Sequence, residues 1–349
     1  MHQISRHLGE YGHFFTPYYG DRVIDWLRRN DYLEFSIVGN KLRRKALEYL
    51  RSHNLPIDEH GSRNEYELVV TCSDLIVPSN IRRKKLILVQ EGMTDPEGLA
   101  YYLVKYLRFP RYIASTSTTG MSNFYDYFCV ASEGYRNLFA RKGADPSKIV
   151  VTGIPNYDNC AKYLENDFPY KHYLLAATSD ARETFMFENR KKFIHRCIDL
   201  AKGRQVIFKL HPNENAERST REILEIAPEA LVFPTGNTDH MIANCDVLVT
   251  KYSTVVYTGM ALGKEVYSDF DIDQLRELVP IQNGGTSAEA IADLCRRHIE
   301  APATERIRSR RHFFHSTGAW QPGIQATEPI FSFRRKLRPF MSGRSKSSS

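Results

Sequence analysis

Short apolar runs, rich in β-branched and aromatic residues, alternate along this chain with stretches whose apolar positions recur every three or four residues. The runs "LEFSIV" (33–38), "ELVVT" (67–71), "KLILVQ" (85–90), "DYFCVA" (126–131) and "KIVVTG" (148–153) read as strands, and "KLRRKALEYLRS" (41–52) and "EGYRNLFARKG" (133–143) as helices between them. After residue 171 the pattern resumes with "HYLLAAT" (172–178), a long helix over about 184–201, "QVIFKL" (205–210), "ALVF" (230–233), "DVLVT" (246–250), a helix after Ser253 and "KEVYS" (264–268). Nearly continuous apolar strands separated by helices predict parallel sheets covered by helices, an α/β fold. The stretch "PNYDNCAKYLENDFPYK" (155–171) interrupts the pattern with a proline near each end and is the predicted hinge. No repeat of 20–50 residues is visible. Residues 1–20, rich in Gly, His and Tyr, predict either a missing first strand or an unusually polar one.

A length of 349 residues exceeds what one hydrophobic core usually supports. The expected division is residues 1–160, residues 161–325 and a basic tail, 326–349. The formal charge of +7 resides almost wholly in that tail, where Arg334, Arg335, Lys336, Arg338, Arg344 and Lys346 follow the last acid, Glu328. A nearly neutral body argues against nucleic acid as a partner, since such binders carry basic residues on a folded face among stacking aromatics. The tail reads either as a solvated, disordered end or as a contact with anionic lipid through residues 333–349, with Phe333, Leu337 and Phe340 as apolar anchors. The N-terminus lacks the pattern of a signal peptide, and no apolar run is long enough to span a bilayer. The six cysteines form no CxxC pair, which fits a reducing cytoplasm and no structural zinc. The protein is therefore expected in the cytoplasm, with peripheral contact to the membrane's inner face as the alternative. In "LAYYLVKYLRFPRY" (99–112), Leu99, Leu103 and Leu107 are expected to face the core; the competing reading has the tyrosines and Phe109 touching a lipid-linked acceptor.

Ligands of open α/β sheets gather at the carboxyl ends of strands. Polar clusters stand there: Gln90-Glu91-Gly92 after "KLILV", Ser179-Asp180 after "HYLLAAT", His211-Pro212 after "QVIFKL", and Lys251-Tyr252-Ser253-Thr254 after "DVLVT". Taken singly, each has a structural explanation: a strand-ending turn at Glu91, a surface histidine stiffened by Pro212, a helix N-cap at Ser253 or Thr254. Taken as chemistry, Glu91 is a natural general base, and Ser253 and Thr254 at a helix start suit a phosphate. Ser179 and Lys209 stand at the same edge and join the candidate nucleotide and phosphate contacts.

As an ordered set, Gln90-Glu91-Gly92, His211-Pro212 and Ser253-Thr254 resemble the [D/E][D/E]G, HP and S-S/T motifs of bacterial GT-B glycosyltransferases that use CMP-activated sialic acid. Related arrangements occur in Kdo transferases and CDP-glycerol glycerophosphotransferases. The stretch "KIVVTGIPNYD" resembles the G-x-P-x-x-D crossing between domains in GT-B transferases and UDP-GlcNAc 2-epimerases. The resemblance spans roughly residues 67–270. It implies two Rossmann-like domains facing a central cleft, Glu91 as general base, His211 and Pro212 at the nucleotide or its phosphate, and Ser253 and Thr254 holding that phosphate. Gln90 and Gly92 support the motif, and Gln90 stands where the sialyltransferase motif has an acid.

The expected activity is an inverting, metal-independent glycosyl transfer from a nucleotide-activated donor, CMP-linked and of sialic acid or Kdo type, to a glycan or lipid-linked acceptor in bacterial surface polysaccharide synthesis. No cofactor is expected beyond the nucleotide-sugar substrate. The alternatives are a CDP-glycerol glycerophosphotransferase-like enzyme, a UDP-GlcNAc 2-epimerase-like enzyme and, last, a non-catalytic scaffold of the same fold.

Overall fold

Nine strands among the described residues fall where the apolar runs predict them, because strands buried on both faces carry no polar alternation. The structure is a computed structural model, and it describes residues 1–16, 30, 40–59, 61, 63–78, 80–179, 188–251 and 253–301. The expected strand 33–38, Asp180, Tyr252, the start of the helix expected from residue 184 and the whole basic tail lie outside the described residues. The chain opens with α1 (His2–Arg6) and α2 (Asn40–Ser52). The first sheet consists of β1 (Leu68–Thr71), β2 (Lys85–Val89), β3 (Tyr127–Val130) and β4 (Ile149–Val151), in that spatial order and all parallel. Between β2 and β3 lie α3 (Leu99–Leu107) and a 3₁₀ segment, Arg111–Thr118; α4 (Glu133–Lys142) joins β3 to β4.

The second half runs through β5 (Leu174–Ala177), α5 (Arg190–Ala201), β6 (Val206–Lys209), α6 (Ala216–Ile226), β7 (Leu231–Phe233), α7 (Thr238–Asn244), β8 (Val247–Thr250), α8 (Val255–Ala261) and β9 (Glu265–Tyr267). Its five strands are parallel in the order β7-β6-β5-β8-β9, so the winding reverses between β5 and β8. Two helices follow, α9 (Ile272–Leu278) and α10 (Ser287–Glu300). Local signals explain several boundaries. Ser132 caps α4 by accepting from the Tyr135 N–H, and Gly143 ends it at φ 115°, a conformation that costs a glycine little. Asn189, Asn215, Asn237 and Asp271 cap α5, α6, α7 and α9 in the same way.

The last of these helices returns to the first sheet. Ala288, Ile291, Ala292 and Cys295 of α10 pack with Ile87 and Val89 of β2, Cys129 of β3 and Ile4 of α1. Buried Lys85 donates to the carbonyls of His298 and Ile299, two of the C-terminal carbonyls that no helical N–H can reach. Residues 287–300 thus belong by packing to the first half, although they follow the second half in sequence. All six cysteines are free thiols, and burial pushes Cys129, Cys197, Cys245 and Cys295 up to about 12, so they pack as small apolar groups. No helix among the described residues is long and apolar enough to cross a membrane.

Helix α3 reverses the expected inside and outside. Tyr101 and Val104 are its buried residues, packed with Ala114 of the 3₁₀ segment, while Leu99 and Leu107 are 77% and 63% exposed. Two stripes run along this helix, and the one that includes the leucines faces away from the core.

The two halves share an apolar cluster in which Phe128, Tyr135 and Phe139 meet Val256, Tyr257, Leu275 and Leu278. The Tyr135 and Tyr257 hydroxyls lie 2.5 Å apart within it. Closest approach falls at Gly134, where a Cβ would lie 1.9 Å from the Glu277 carbonyl oxygen. Backbone atoms cannot swing aside as a side-chain end can. Gly134→Ala is therefore expected to destabilise the protein by about 1–3 kcal/mol or more, measured by chemical denaturation against wild type; an unchanged midpoint would show that the helices part freely.

Candidate functional site

The chain leaves β2 through a turn held by one side-chain amide. Gln90 is buried; its Oε1 accepts the Ala131 N–H at 2.8 Å and its Nε2 donates to the Gly92 carbonyl at 2.8 Å. Both ends of the amide are used, so the turn after β2 is tied to the end of β3. An ionised carboxylate at this position accepts but cannot donate. Glu91 lies outside this clamp, its side chain exposed and its carbonyl accepting from Asn156 Nδ2 at 3.4 Å.

Gly92 brings the turn against the second half. A Cβ there would lie 3.8 Å from Cγ2 of Thr254 and 3.9 Å from Cε2 of Tyr157. Burial raises the Tyr157 hydroxyl above its ordinary pKa, opposed by a hydrogen bond with the Thr254 side chain. The Glu91-Gly92 turn, the hinge residues Asn156 and Tyr157, and Thr254 therefore form one cluster. Beside it lies a cavity of about 310 Å³ lined by Asn156, Tyr157, Tyr163, Asp239 and Thr258 among others. Ser253 and Thr254 precede α8, as expected, yet Thr254 makes no side-chain cap bond and is itself αR, with φ −65° and ψ −15°.

A second cluster sits at the point where the strand order reverses, the place where doubly wound sheets open a crevice. Ala177 at the end of β5 pairs with Thr250 at the end of β8. The Thr250 and Ser179 hydroxyls are buried and have no hydrogen-bond partner among the described residues. One strand over, the His211 N–H donates to Glu214 Oε2 at 2.8 Å and to Thr178 Oγ1 at 3.1 Å. Buried Glu214 also accepts from the Thr178 hydroxyl, from Arg190 and, at 3.2 Å, from the Ser219 hydroxyl. Arg190 continues to Glu188 at 3.1 Å, and Glu188 to Lys251 at 3.2 Å. A chain of buried charges thus connects the His-Pro turn with the residue that leads into Ser253. His211 Nδ1 accepts the Asn213 N–H at 3.3 Å, which leaves Nε2 to carry the proton of the neutral ring. Pro212 is exposed at the tip of the turn.

Lys209 is the candidate that points elsewhere. Its buried ammonium donates to the carbonyls of Leu210, at 2.7 Å, and Pro234, at 3.3 Å, so it ties β6 to the end of β7. Burial lowers its pKa, with Glu214 opposing. Glu188, Arg190 and Glu214 were not singled out in the sequence. Glu214 reads there as one acid in the polar stretch "HPNEN", and nothing local announces its pairing with Arg190.

No family model matches the chain, and no curated protein matches it. Among solved structures, it is similar to the UDP-GlcNAc 2-epimerase from Neisseria meningitidis bound to UDP-GlcNAc, with 13% identity, a TM-score of 0.47 and coverage of 74% of this chain and 82% of that one. The Methanocaldococcus jannaschii UDP-GlcNAc 2-epimerase in complex with UDP-GlcNAc and UDP gives 13%, 0.47, 84% and 95% in the same terms. The wall teichoic acid polymerase TagF gives 14%, 0.43, 74% and 85%.

Two expectations test the clusters. Gln90→Glu keeps the acceptor for Ala131 but donates to Gly92 only when protonated, so the folded state raises the pKa of the new carboxyl above its unfolded value of about 4.3. The variant should approach wild-type stability at low pH and lose about 1–3 kcal/mol as pH rises through the folded pKa; denaturation series at several pH values measure this. Glu214→Ala should cost about 3–5 kcal/mol, whereas His211→Ala should stay within about 0.5 kcal/mol of wild type.

Proposed function

We propose that this chain is a nucleotide-sugar enzyme of GT-B type, an inverting glycosyltransferase. Glu91 takes the proton of an acceptor hydroxyl, the hydroxyl oxygen attacks the anomeric carbon, and the bond to the nucleotide phosphate breaks with its electron pair going to phosphate. Protonated Nε2 of His211 and the hydroxyls of Ser253, Ser179 and Thr250 serve as hydrogen-bond donors to the leaving phosphate. The proposed donor is a CMP-linked sugar of sialic acid or Kdo type, and the acceptor a glycan or lipid-linked glycan.

The observation that carries this reading is the proximity of the turn of the candidate base to Thr254, whose Cγ2 lies 3.8 Å from where a Cβ on Gly92 would stand. General-base catalysis requires the base and the leaving group to reach one substrate together. The reversal of strand order beside Ser179 and Thr250 adds to it, since buried hydroxyls without partners among the described residues are sites where a ligand or water can pair with them. Lys209 has no part in the proposal.

Glu91→Gln keeps the size of the side chain and removes the basic lone pair. It is expected to slow transfer by about 10²–10⁴-fold, with near-normal nucleotide affinity and an unchanged melting temperature, because Glu91 is exposed. Single-turnover rates of sugar transfer measure it, and a wild-type rate would remove Glu91 as the base. The donor is read from thermal shifts with CMP, CDP, UDP and GDP: a nucleotide at about 100 times its Kd stabilises by roughly 2.7 kcal/mol. The proposed CMP-linked donor requires CMP to give the largest shift, and that shift to fall in His211→Ala and Ser253→Ala.

A further inference from the structure

Two cavities adjoin the turn that carries Glu91. One, described above, is lined by Val255 and Thr258 of α8 together with Asn156 and Tyr157, so it shares a helix with the proposed phosphate contacts. The other, of about 450 Å³, lies between residues 93–97, α4 and α9. Among the described residues that line it, none belongs to α8 or to the His211 cluster. It begins at Met93, and two residues span at most about 7 Å of backbone, so the backbone of Glu91 stands within that distance of Met93.

The walls of this second cavity are of two kinds. Tyr135 and Leu138 of α4 and Leu275 and Leu278 of α9 form an apolar side, which belongs to the cluster shared by the two halves. Polar groups stand around it: Asp95 and Glu97 on the segment after the turn, Arg141 and Lys142 on α4, and Gln274 on α9. Two of them are held in place by the protein. The Asp95 carboxylate accepts the Thr116 hydroxyl at 2.8 Å, and the Asp95 N–H donates to the Thr116 Oγ1 at 2.9 Å. Lys142 is only 3% exposed; its ammonium donates to the Ser117 carbonyl at 3.1 Å and lies 5.6 Å from the Tyr101 ring centre. An ammonium carries three donors, and among the described residues this one makes a single hydrogen bond. Burial lowers its pKa, with Glu97 and Asp95 opposing. A buried donor with capacity to spare, at the wall of a cavity, is a place where a ligand hydroxyl or water can pair.

We propose that this cavity is a saccharide site that takes an uncharged sugar ring. The charges lining it are two carboxylates and two cations, and this balance decides against a ligand with net charge: an anion would meet Asp95 and Glu97, a cation Arg141 and Lys142. A hydrocarbon chain would desolvate these charges and pair none of them. A sugar ring suits both kinds of wall. Its C–H face rests on Tyr135 and the leucines, and its hydroxyls donate to the carboxylates, accept from Lys142 and exchange either bond with the Gln274 amide. The volume falls within the roughly 300–1,000 Å³ of small-molecule sites. The acceptor role rests on the transferase reading above: the first cavity shares α8 with the leaving phosphate, so the ring in the second presents the acceptor hydroxyl to Glu91.

Full-length protein is mixed in turn with methyl β-glucoside, methyl β-galactoside, methyl β-glucuronide, methyl β-glucosaminide and phosphoethanolamine, and saturation-transfer NMR reads binding without any need for turnover. A neutral glycoside is expected to bind more tightly than the acid, the amine or the zwitterion. Gln274→Trp fills the cavity from an exposed position on α9. Neutral-glycoside affinity should then fall by roughly tenfold or more, while CMP affinity and melting temperature stay those of wild type. Should this variant fail to fold, Glu97→Gln carries the test: with one carboxylate removed, the ratio of glucuronide to glucoside affinity should rise by roughly threefold. No binding of either neutral glycoside, tighter binding of a charged or zwitterionic probe, equal affinity in wild type and folded Gln274→Trp, or an unchanged ratio in Glu97→Gln would each overturn the inference. With the bound glycoside as acceptor, Gln274→Trp should raise its KM and leave kcat unchanged, and an unchanged KM would overturn the acceptor role. A bound glycoside with no transfer by wild type would instead overturn the transferase reading and leave the saccharide site standing.

Discussion

The proposed reaction depends on how closely the two halves of the molecule approach beside α4. The absence of a side chain at Gly134 lets the backbone of one half rest against the Glu277 carbonyl of the other, and the Tyr135–Tyr257 pair fills the space beside it. The Tyr135–Tyr257 contact joins α4 to α8, the helix that Thr254 precedes, on the same side as the turn after β2 that meets Thr254. A methyl group at Gly134 would act at the candidate site without being near its chemistry. The buried tyrosine pair adds direction: two hydroxyls that must satisfy each other in an apolar cluster admit fewer arrangements than apolar contact alone.

Within the second half, the rigid element is ionic. Glu214 gathers donors from β5, α5, α6 and the His211 backbone, and Arg190 passes the connection to Glu188 and Lys251. Burying four charges contributes little net stability, because desolvation offsets much of the attraction. What it provides is position. The His-Pro turn and the segment leading to Ser253 emerge from different strands, and alternating charges hold them in one arrangement. Strand β6 ends at Lys209, Pro212 stands in the turn beyond it, and Glu214 orients that turn.

How legible all this was in the sequence varies with the kind of force involved. The strands were plain because a parallel strand covered on both faces is apolar at most positions, and "KLILV" or "DVLVT" has few other uses. Helices α6, α7, α9 and α10 were less visible: their apolar faces are short and interrupted by charge, and α9 and α10 pack on residues far away in sequence. The stripe of α3 was legible as a stripe, but periodicity does not say which side faces inward, and Leu99 and Leu107 face out while Leu103 is half-buried. Lys209 illustrates the limit for single residues, since a lysine at a strand end can reach a ligand or a neighbouring carbonyl equally well, and here it reaches Leu210 and Pro234. Gln90 departs from the resembling motif, and its two hydrogen bonds supply a reason that only the fold contains. The Glu214–Arg190 pair was beyond reach, because nothing in the order of residues ties position 190 to position 214.

The return of α10 to the first sheet has a consequence for how the chain is made. One face of that sheet, with Ile87, Val89 and Cys129, is completed by a helix that begins only at Ser287. At roughly 5–20 residues per second, the ribosome finishes the strands well before it supplies their cover, and an apolar surface waits for roughly 7–30 s beside the exit tunnel. The grip of Lys85 on the last carbonyls of α10 then joins the second described strand to the last described helix. The first half becomes a finished domain only after the second has been synthesised, so a nascent chain stalled between the two is a substrate for chaperones rather than a folded intermediate.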